Sequence, residues 1–144
     1  MNINLAINEG TKILKSKDIA SSQLDSEILM ANTINKDRKY ILLNSNSSLK
    51  QKDLNKFYKL IYERSLGNPV AYLTNKKFFW NSEFFITNHT LIPRPDTELI
   101  VENILRLSKQ KNRINILDIG VGSGCILLSI LKEKKNFYGT GIDI

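Results

Sequence analysis

Ile114-Asn-Ile-Leu-Asp-Ile-Gly-Val-Gly-Ser-Gly124, continued by Cys125-Ile-Leu-Leu-Ser-Ile-Leu131 and then by Phe137-Tyr-Gly-Thr-Gly-Ile-Asp143, decides the fold class. The β-branched run Ile114–Ile119 predicts a short strand. A glycine-rich turn follows at 120–124, then a compact helix from about Ser123 to Lys134, then a second strand over 137–143. Strand, loop, helix and strand within roughly thirty residues make one βαβ unit, so this part of the chain is α/β with parallel strands.

A glycine loop at a strand-to-helix bend aims backbone amides and the positive helix end at a ligand. Gly122 and Gly124 let the main chain come close to that ligand where a side chain would stand in the way. Asp143 lies 19 residues beyond Gly124, at the end of the second strand. An acid there is placed to accept hydrogen bonds from both ribose hydroxyls of a nucleoside. The other reading of Asp143 is a solvated strand end. The dinucleotide pattern G-x-G-x-x-G requires Gly or Ala at 125, where this chain has Cys125, which disfavours an NAD-dependent dehydrogenase. A phosphate-cradling P-loop is excluded because no Gly-Lys-Ser/Thr follows. The form present, G-x-G-x-G after Asp118, is the one associated with S-adenosylmethionine. The candidate cofactor residues are therefore Asp118, Gly120, Val121, Gly122, Ser123, Gly124 and Asp143. Asp118 either answers the cofactor's ammonium or caps the helix and fixes the loop.

Upstream, the pattern is helical. Ile3, Ile7, Thr11 and Leu14 recur at helix spacing, with Ile13 broadening the face. Ser22 with Asp25 resembles a capping pair ahead of a helix whose apolar side holds Leu24, Ile28 and Ala31. A third helix begins after Ser48 and carries Leu54, Phe57 and Ile61, and Gly67 and Pro69 end it. Asn44–Ser48 is a polar loop. Lys76-Lys-Phe-Phe-Trp80 and Glu83-Phe-Phe-Ile86 around Asn81-Ser82 read as a β-hairpin, its aromatics as core between two lobes, and His89 as part of a solvated turn. Pro95 then opens a further helix, with Ile100, Ile104 and Leu107 expected to face the core and Lys109 and Lys111 suiting its negative end.

Composition narrows the function classes. The 144 residues are 42% hydrophobic and 24% charged, which fits a globular chain and excludes collagen, a disordered tail or a disulfide scaffold. One cysteine cannot form an internal disulfide, and one His with one Cys cannot furnish a zinc site. The start Met-Asn-Ile-Asn-Leu is not a signal peptide, and the longest apolar stretch is too short to span a bilayer, so no membrane partner and a cytoplasmic location are expected. The net charge of +7 is spread evenly, with 11 bases and 7 acids in residues 1–70 and 10 bases and 7 acids in residues 71–144. Because nucleic-acid surfaces concentrate their bases, direct nucleic-acid binding is not expected.

Asp25-Ser-Glu27-Ile-Leu, Gly67-Asn-Pro-Val-Ala-Tyr-Leu73, Phe79-Trp80, Leu91-Ile-Pro-Arg-Pro-Asp-Thr-Glu98 and Ile116-Leu-Asp-Ile-Gly-Val-Gly-Ser-Gly124 occur in this order. Together they resemble the HemK-type family of peptide-chain release factor N5-glutamine methyltransferases, and the Pro-Arg-Pro-Asp-Thr-Glu block is the most specific of them. The resemblance implies a helical release-factor-docking domain over residues 1–73, a β-hairpin linker over 74–90, and over 91–144 the first βαβ unit of a class I, Rossmann-like methyltransferase domain. It implies S-adenosylmethionine as cofactor and release factors as protein partners, with Arg94 and Glu98 as ordering or lining residues. The implied reaction is methyl transfer to the side-chain amide of the glutamine in a Gly-Gly-Gln loop. The family's Asn-Pro-Pro-Tyr motif, which holds that amide, has no counterpart here, since Asn68-Pro69 is followed by Val-Ala. On this resemblance the 144 residues alone are expected to lack activity. The alternative is a non-catalytic release-factor-binding module or a truncated remnant.

Overall fold

The computed structural model describes residues 1–144, which divide into two compact units, Met1–Thr74 and Asn75–Ile144. The first unit is all helix: α1 (Ile3–Lys15), α2 (Ser22–Thr33), α3 (Arg38–Leu43), α4 (Gln51–Ser65) and α5 (Val70–Thr74). Asn2 caps α1 by accepting from the Leu5 N–H at 2.9 Å. The buried face of α1 is Ile3, Ala6, Ile7, Gly10 and Leu14, whereas Ile13 is exposed. Gly10 is there for contact, because a Cβ would stand 2.8 Å from Cζ of the buried Phe57 on α4. Tyr58 reaches back from α4 to Glu9 and donates its hydroxyl to that carboxylate.

The second helix departs from the expected amphipathic pattern. Ser21, not Ser22, occupies the cap position, and its hydroxyl goes to Asp25 at 2.8 Å. Leu29 and Met30 are fully buried while Leu24 is exposed. The reason is position: α2 packs against α1, α3, α4 and α5, so it has no single solvent face to leave polar. Its buried polar groups are satisfied locally, with the Ser26 hydroxyl donating to Ser22 O at 2.8 Å and Thr33 to Leu29 O at 2.7 Å. Its two buried acids are met by arginines from other helices, Asp25 by Arg64 at 2.7 Å and Glu27 by Arg38 at 2.6 Å. Glu27 and Arg38 lie at the rim of an open cleft of about 610 Å³. Helix α4 starts from Lys50, two residues later than the Ser48 cap expected from sequence.

Burial first, then the Glu9 hydrogen bond and its charge, push the Tyr58 hydroxyl up to about 12 from its ordinary 10.0. A raised folded-state value stabilises the fold fully below the unfolded value, and that contribution is lost as pH climbs through the folded one. Stability of the helical unit is thus expected to fall between about pH 10 and 12. Urea titrations across that window should show a shallower decline for Tyr58→Phe than for the parent chain.

The second unit begins with the hairpin strands β1 (Lys76–Phe79) and β2 (Ser82–Phe85), paired antiparallel from Lys76↔Phe85 to Phe79↔Ser82. The turn is therefore Trp80-Asn81, one residue earlier than the Asn81-Ser82 turn expected from sequence. Phe79 and Phe84 are buried and meet edge-on at 6.2 Å, while Phe78 and Phe85 face outward. A 3-10 turn over Pro95–Thr97 leads into α6 (Glu98–Leu107). Val101 and Ser108 form its buried line, whereas Ile100 and Leu107 are exposed, so the inward face is rotated from the expected one.

β3 (Asn115–Ile119), α7 (Cys125–Glu133) and β4 (Tyr138–Ile142) complete the unit, with β3 and β4 parallel in the register Asn115↔Tyr138 to Ile119↔Ile142. This is the expected βαβ arrangement. Helix α7 covers the face that carries Gly139 and Gly141, since a Cβ at 139 would lie 2.6 Å from Leu127 Cδ1. Leu117, Ile119, Tyr138 and Ile142 are exposed on the opposite face.

Candidate functional site

The glycine loop runs from the end of β3 to the start of α7. Gly120, Gly122 and Gly124 have φ of 79°, 52° and 73°, a left-handed region that costs any residue with a Cβ. Three such residues in five let the chain leave the strand and enter the helix within one turn. The loop is tied to the next strand through Ile142 O, which accepts from the Gly120 and Val121 N–H at 2.8 and 3.1 Å. It closes on itself through Gly124 N–H to Val121 O at 2.8 Å. Space is open where a Cβ would stand at Gly120, and at Gly122 the nearest atom is the Gly120 carbonyl at 4.0 Å.

Asp143, 21 residues after Gly122, comes back to this loop: its Oδ2 accepts from the Gly122 N–H at 2.6 Å, and its Oδ1 from the Ile144 N–H at 3.0 Å. Parallel pairing of β3 with β4 brings it there, because both strands point the same way and end together. Ser123 accepts from the Cys125 N–H at 3.4 Å, a long contact at the helix entry. Asp118 is half-buried in β3, opposite Gly141. The seven candidate residues thus gather at the carboxyl ends of two adjacent parallel strands, the usual ligand position of open α/β sheets.

Three features of the site escaped the sequence reading. Gly141 has no room for a side chain, since a Cβ would meet Val121 Cγ2 at 2.7 Å; the Gly-Thr-Gly alternation was its available signal. Gly139 plays the same part beneath α7. The hairpin turn is also clasped by the two helices. Glu98 accepts from the Trp80 N–H at 2.7 Å and Glu133 from the Trp80 indole at 3.0 Å. Lys132 donates to Asn81 O at 3.0 Å and to the Ser82 hydroxyl at 2.8 Å. Trp80 sits at φ 53°, a conformation a bulky residue adopts only when its surroundings hold it there. No sequence pattern announces these pairings, which join residues 18 to 53 positions apart.

A five-helix unit followed by a βαβ unit with a glycine loop and a strand-end acid defines a helical domain followed by an α/β unit of parallel strands. Comparison with known proteins narrows this class. Residues 6–74 match the family described as the PrmC N-terminal domain. The release factor glutamine methyltransferase of Leptospira interrogans is 40% identical over 141 residues, covering 96% of this chain and 49% of that protein. The protein of the same name from Buchnera aphidicola subsp. Schizaphis graminum is 36% identical, covering 99% of this chain and 51% of its own length. A bifunctional methyltransferase of Rickettsia conorii is 32% identical over 99% of this chain and 32% of that protein. Along nearly its whole length the chain is similar to proteins named release factor glutamine methyltransferase, and it spans about half the length of the first-named relatives. No helix of the chain is long and apolar enough to cross a membrane.

Proposed function

We propose that the chain supplies the release-factor-docking domain (residues 1–73), the hairpin linker (74–90) and the cofactor-binding opening (91–144) of an S-adenosylmethionine-dependent enzyme. That enzyme methylates the glutamine of the Gly-Gly-Gln loop in cytoplasmic release factors. The observation that carries this reading is the return of Asp143 to the Gly120–Gly124 loop in a chain related along its length to enzymes so named.

The residues fit the cofactor. Gly120 and Gly122 leave open space at the bend, and the Gly122 amide already holds a carboxylate, so the loop is an acceptor-binding surface. In this reading the amides of Gly120 to Gly124, Val121 and Ser123 included, receive the methionine portion. Asp118 answers its ammonium. Asp143 exchanges the Gly122 N–H for the ribose hydroxyls. When bound, the cofactor supplies a methyl group on a sulfonium, which a nucleophile in line can take. A side-chain amide nitrogen is a weak nucleophile because its lone pair is delocalised into the carbonyl, so positioning carries most of the rate.

If the helical domain docks the release factor, an excess of the 144-residue chain should slow methylation of a release factor by one of the full-length relatives, in proportion to its concentration. Release factor immobilised on a support should also retain the chain. Undiminished methylation at every concentration, with no retention, would remove the docking reading.

A further inference from the structure

Helix α2 begins at the open cleft of about 610 Å³ in the helical unit, which Lys15 of α1 and Arg38 of α3 also line. The first amides of a helix have no partner within it. At α2 the Ser22 N–H donates to Ile19 O at 3.1 Å and the Asp25 N–H to Ser21 O at 2.8 Å. Between them, the N–H groups of Gln23 and Leu24 make no hydrogen bond. A cap side chain usually answers such groups, but the Ser21 hydroxyl is turned to Asp25 instead. Gln23 and Leu24 both line the cleft.

Two free amides at a wet helix start are ordinary. Ser22 is not, because buried hydroxyls normally find a partner. It is only 8% exposed, yet its hydroxyl has no hydrogen-bond partner, and it is not sealed in as the orphaned Thr11 hydroxyl is. It therefore opens on the cleft that the residue lines. The surrounding charge selects what it would meet. Glu27 is neutralised by Arg38 at 2.6 Å, whereas Lys15 pairs with no acid. One uncommitted cation beside a buried carboxylate suits a single negative charge better than the two of a phosphate. Residues 1–70 carry 11 bases against 7 acids, and two of those acids, Asp25 and Glu27, are buried in pairs, so the surface of the unit favours an acidic partner.

We propose that this cleft receives the carboxylate of an aspartate or glutamate side chain on a protein that docks against the helical unit. The carboxylate accepts from the Gln23 and Leu24 N–H groups and from the Ser22 hydroxyl, and Lys15 supplies the counter-charge. The inference rests on the docking reading of residues 1–73 and adds the chemistry by which the partner is gripped.

Titrating a blocked oligoglutamate into the full ¹⁵N-labelled chain at low salt tests it, with inorganic phosphate and a blocked oligolysine as companion probes. The Gln23 and Leu24 amides are expected to move saturably with oligoglutamate, less with phosphate and not with oligolysine. Ser22→Asp places a carboxylate of the chain's own at these amides and should weaken oligoglutamate binding about tenfold or more. Lys15→Gln should weaken it about threefold, the usual worth of an exposed ion pair. A control carrying Lys56→Gln and Lys59→Gln on α4 should bind as the parent does, with circular dichroism verifying each fold. Fixed Gln23 and Leu24 resonances, tighter binding of phosphate, or an equal loss in the control would each overturn the proposal. Ser22→Asp should also lower retention of the chain by immobilised release factor. Retention unchanged in that variant would reject the cleft alone, whereas no retention of the parent would remove the docking reading and with it the partner assigned to the cleft.

Discussion

Arg64→Met is expected to destabilise the helical unit by about 3 to 5 kcal/mol, the usual cost of leaving one member of a buried ion pair without its partner. The Asp25 side chain is only 8% exposed, the Arg64 side chain 17%, and their contact is 2.7 Å. The Ser21 hydroxyl alone would remain to the carboxylate. Pairing Arg64→Met with Asp25→Leu should recover most of the loss, because replacing a whole buried pair by apolar groups is often neutral. Arg38→Met is the contrast. Its side chain is 53% exposed at the rim of an open cleft, where water can replace it beside the buried Glu27, and Glu27 keeps a hydrogen bond from Gln23 at 3.2 Å, so a smaller loss of about 1 to 2 kcal/mol is expected. Urea unfolding of the three variants beside the parent chain measures all of this. Equal costs for Arg64 and Arg38 would contradict the assignment of the difference to the burial of the arginine, since both acids are buried.

Gly141→Val is expected to weaken S-adenosylmethionine binding tenfold or more, about 1.4 kcal/mol, without touching a ligand. The new Cβ would stand 2.7 Å from Val121 Cγ2, 3.0 Å from its Cβ and 3.2 Å from its Cγ1. Val121 is β-branched and cannot swing aside as a leucine tip can, so the loop itself must lift from Ile142 O. Overpacking of this kind costs about 1 to 3 kcal/mol, and here it falls on the second unit. Thr140→Val points to the opposite, uncovered face and should change neither quantity. Calorimetric titration with the cofactor and urea unfolding separate the two effects. Unaltered affinity in Gly141→Val would mean that the loop's position does not govern the site.

What could be read in the sequence follows from how local each signal is. The βαβ unit was legible because strand, glycine turn and helix lie together in the chain, and the parallel pairing then carries Asp143 to the loop without further information. The α1 face was legible because one side of that helix is wet. Helix α2 was misread because it is surrounded, so its buried acids and hydroxyls erased the period that the reading relies on. Helices α3 and α5, of six and five residues, are too short to display a period at all. On α6, Ile100, Ile104 and Leu107 offered one apolar stripe, yet packing chose the neighbouring one centred on Val101. The clasp of Glu98, Lys132 and Glu133 on the Trp80 turn depends on tertiary distance alone.

The most direct test of the cofactor site is a ¹⁵N amide spectrum of the chain recorded while S-adenosylmethionine is added. The account predicts that the Gly120, Gly122, Ser123 and Gly124 amides move together, that the Gly122 resonance moves most as it gives up the Asp143 carboxylate, and that Asp143→Ala suppresses the response. A loop whose resonances stay fixed up to saturating cofactor would contradict it.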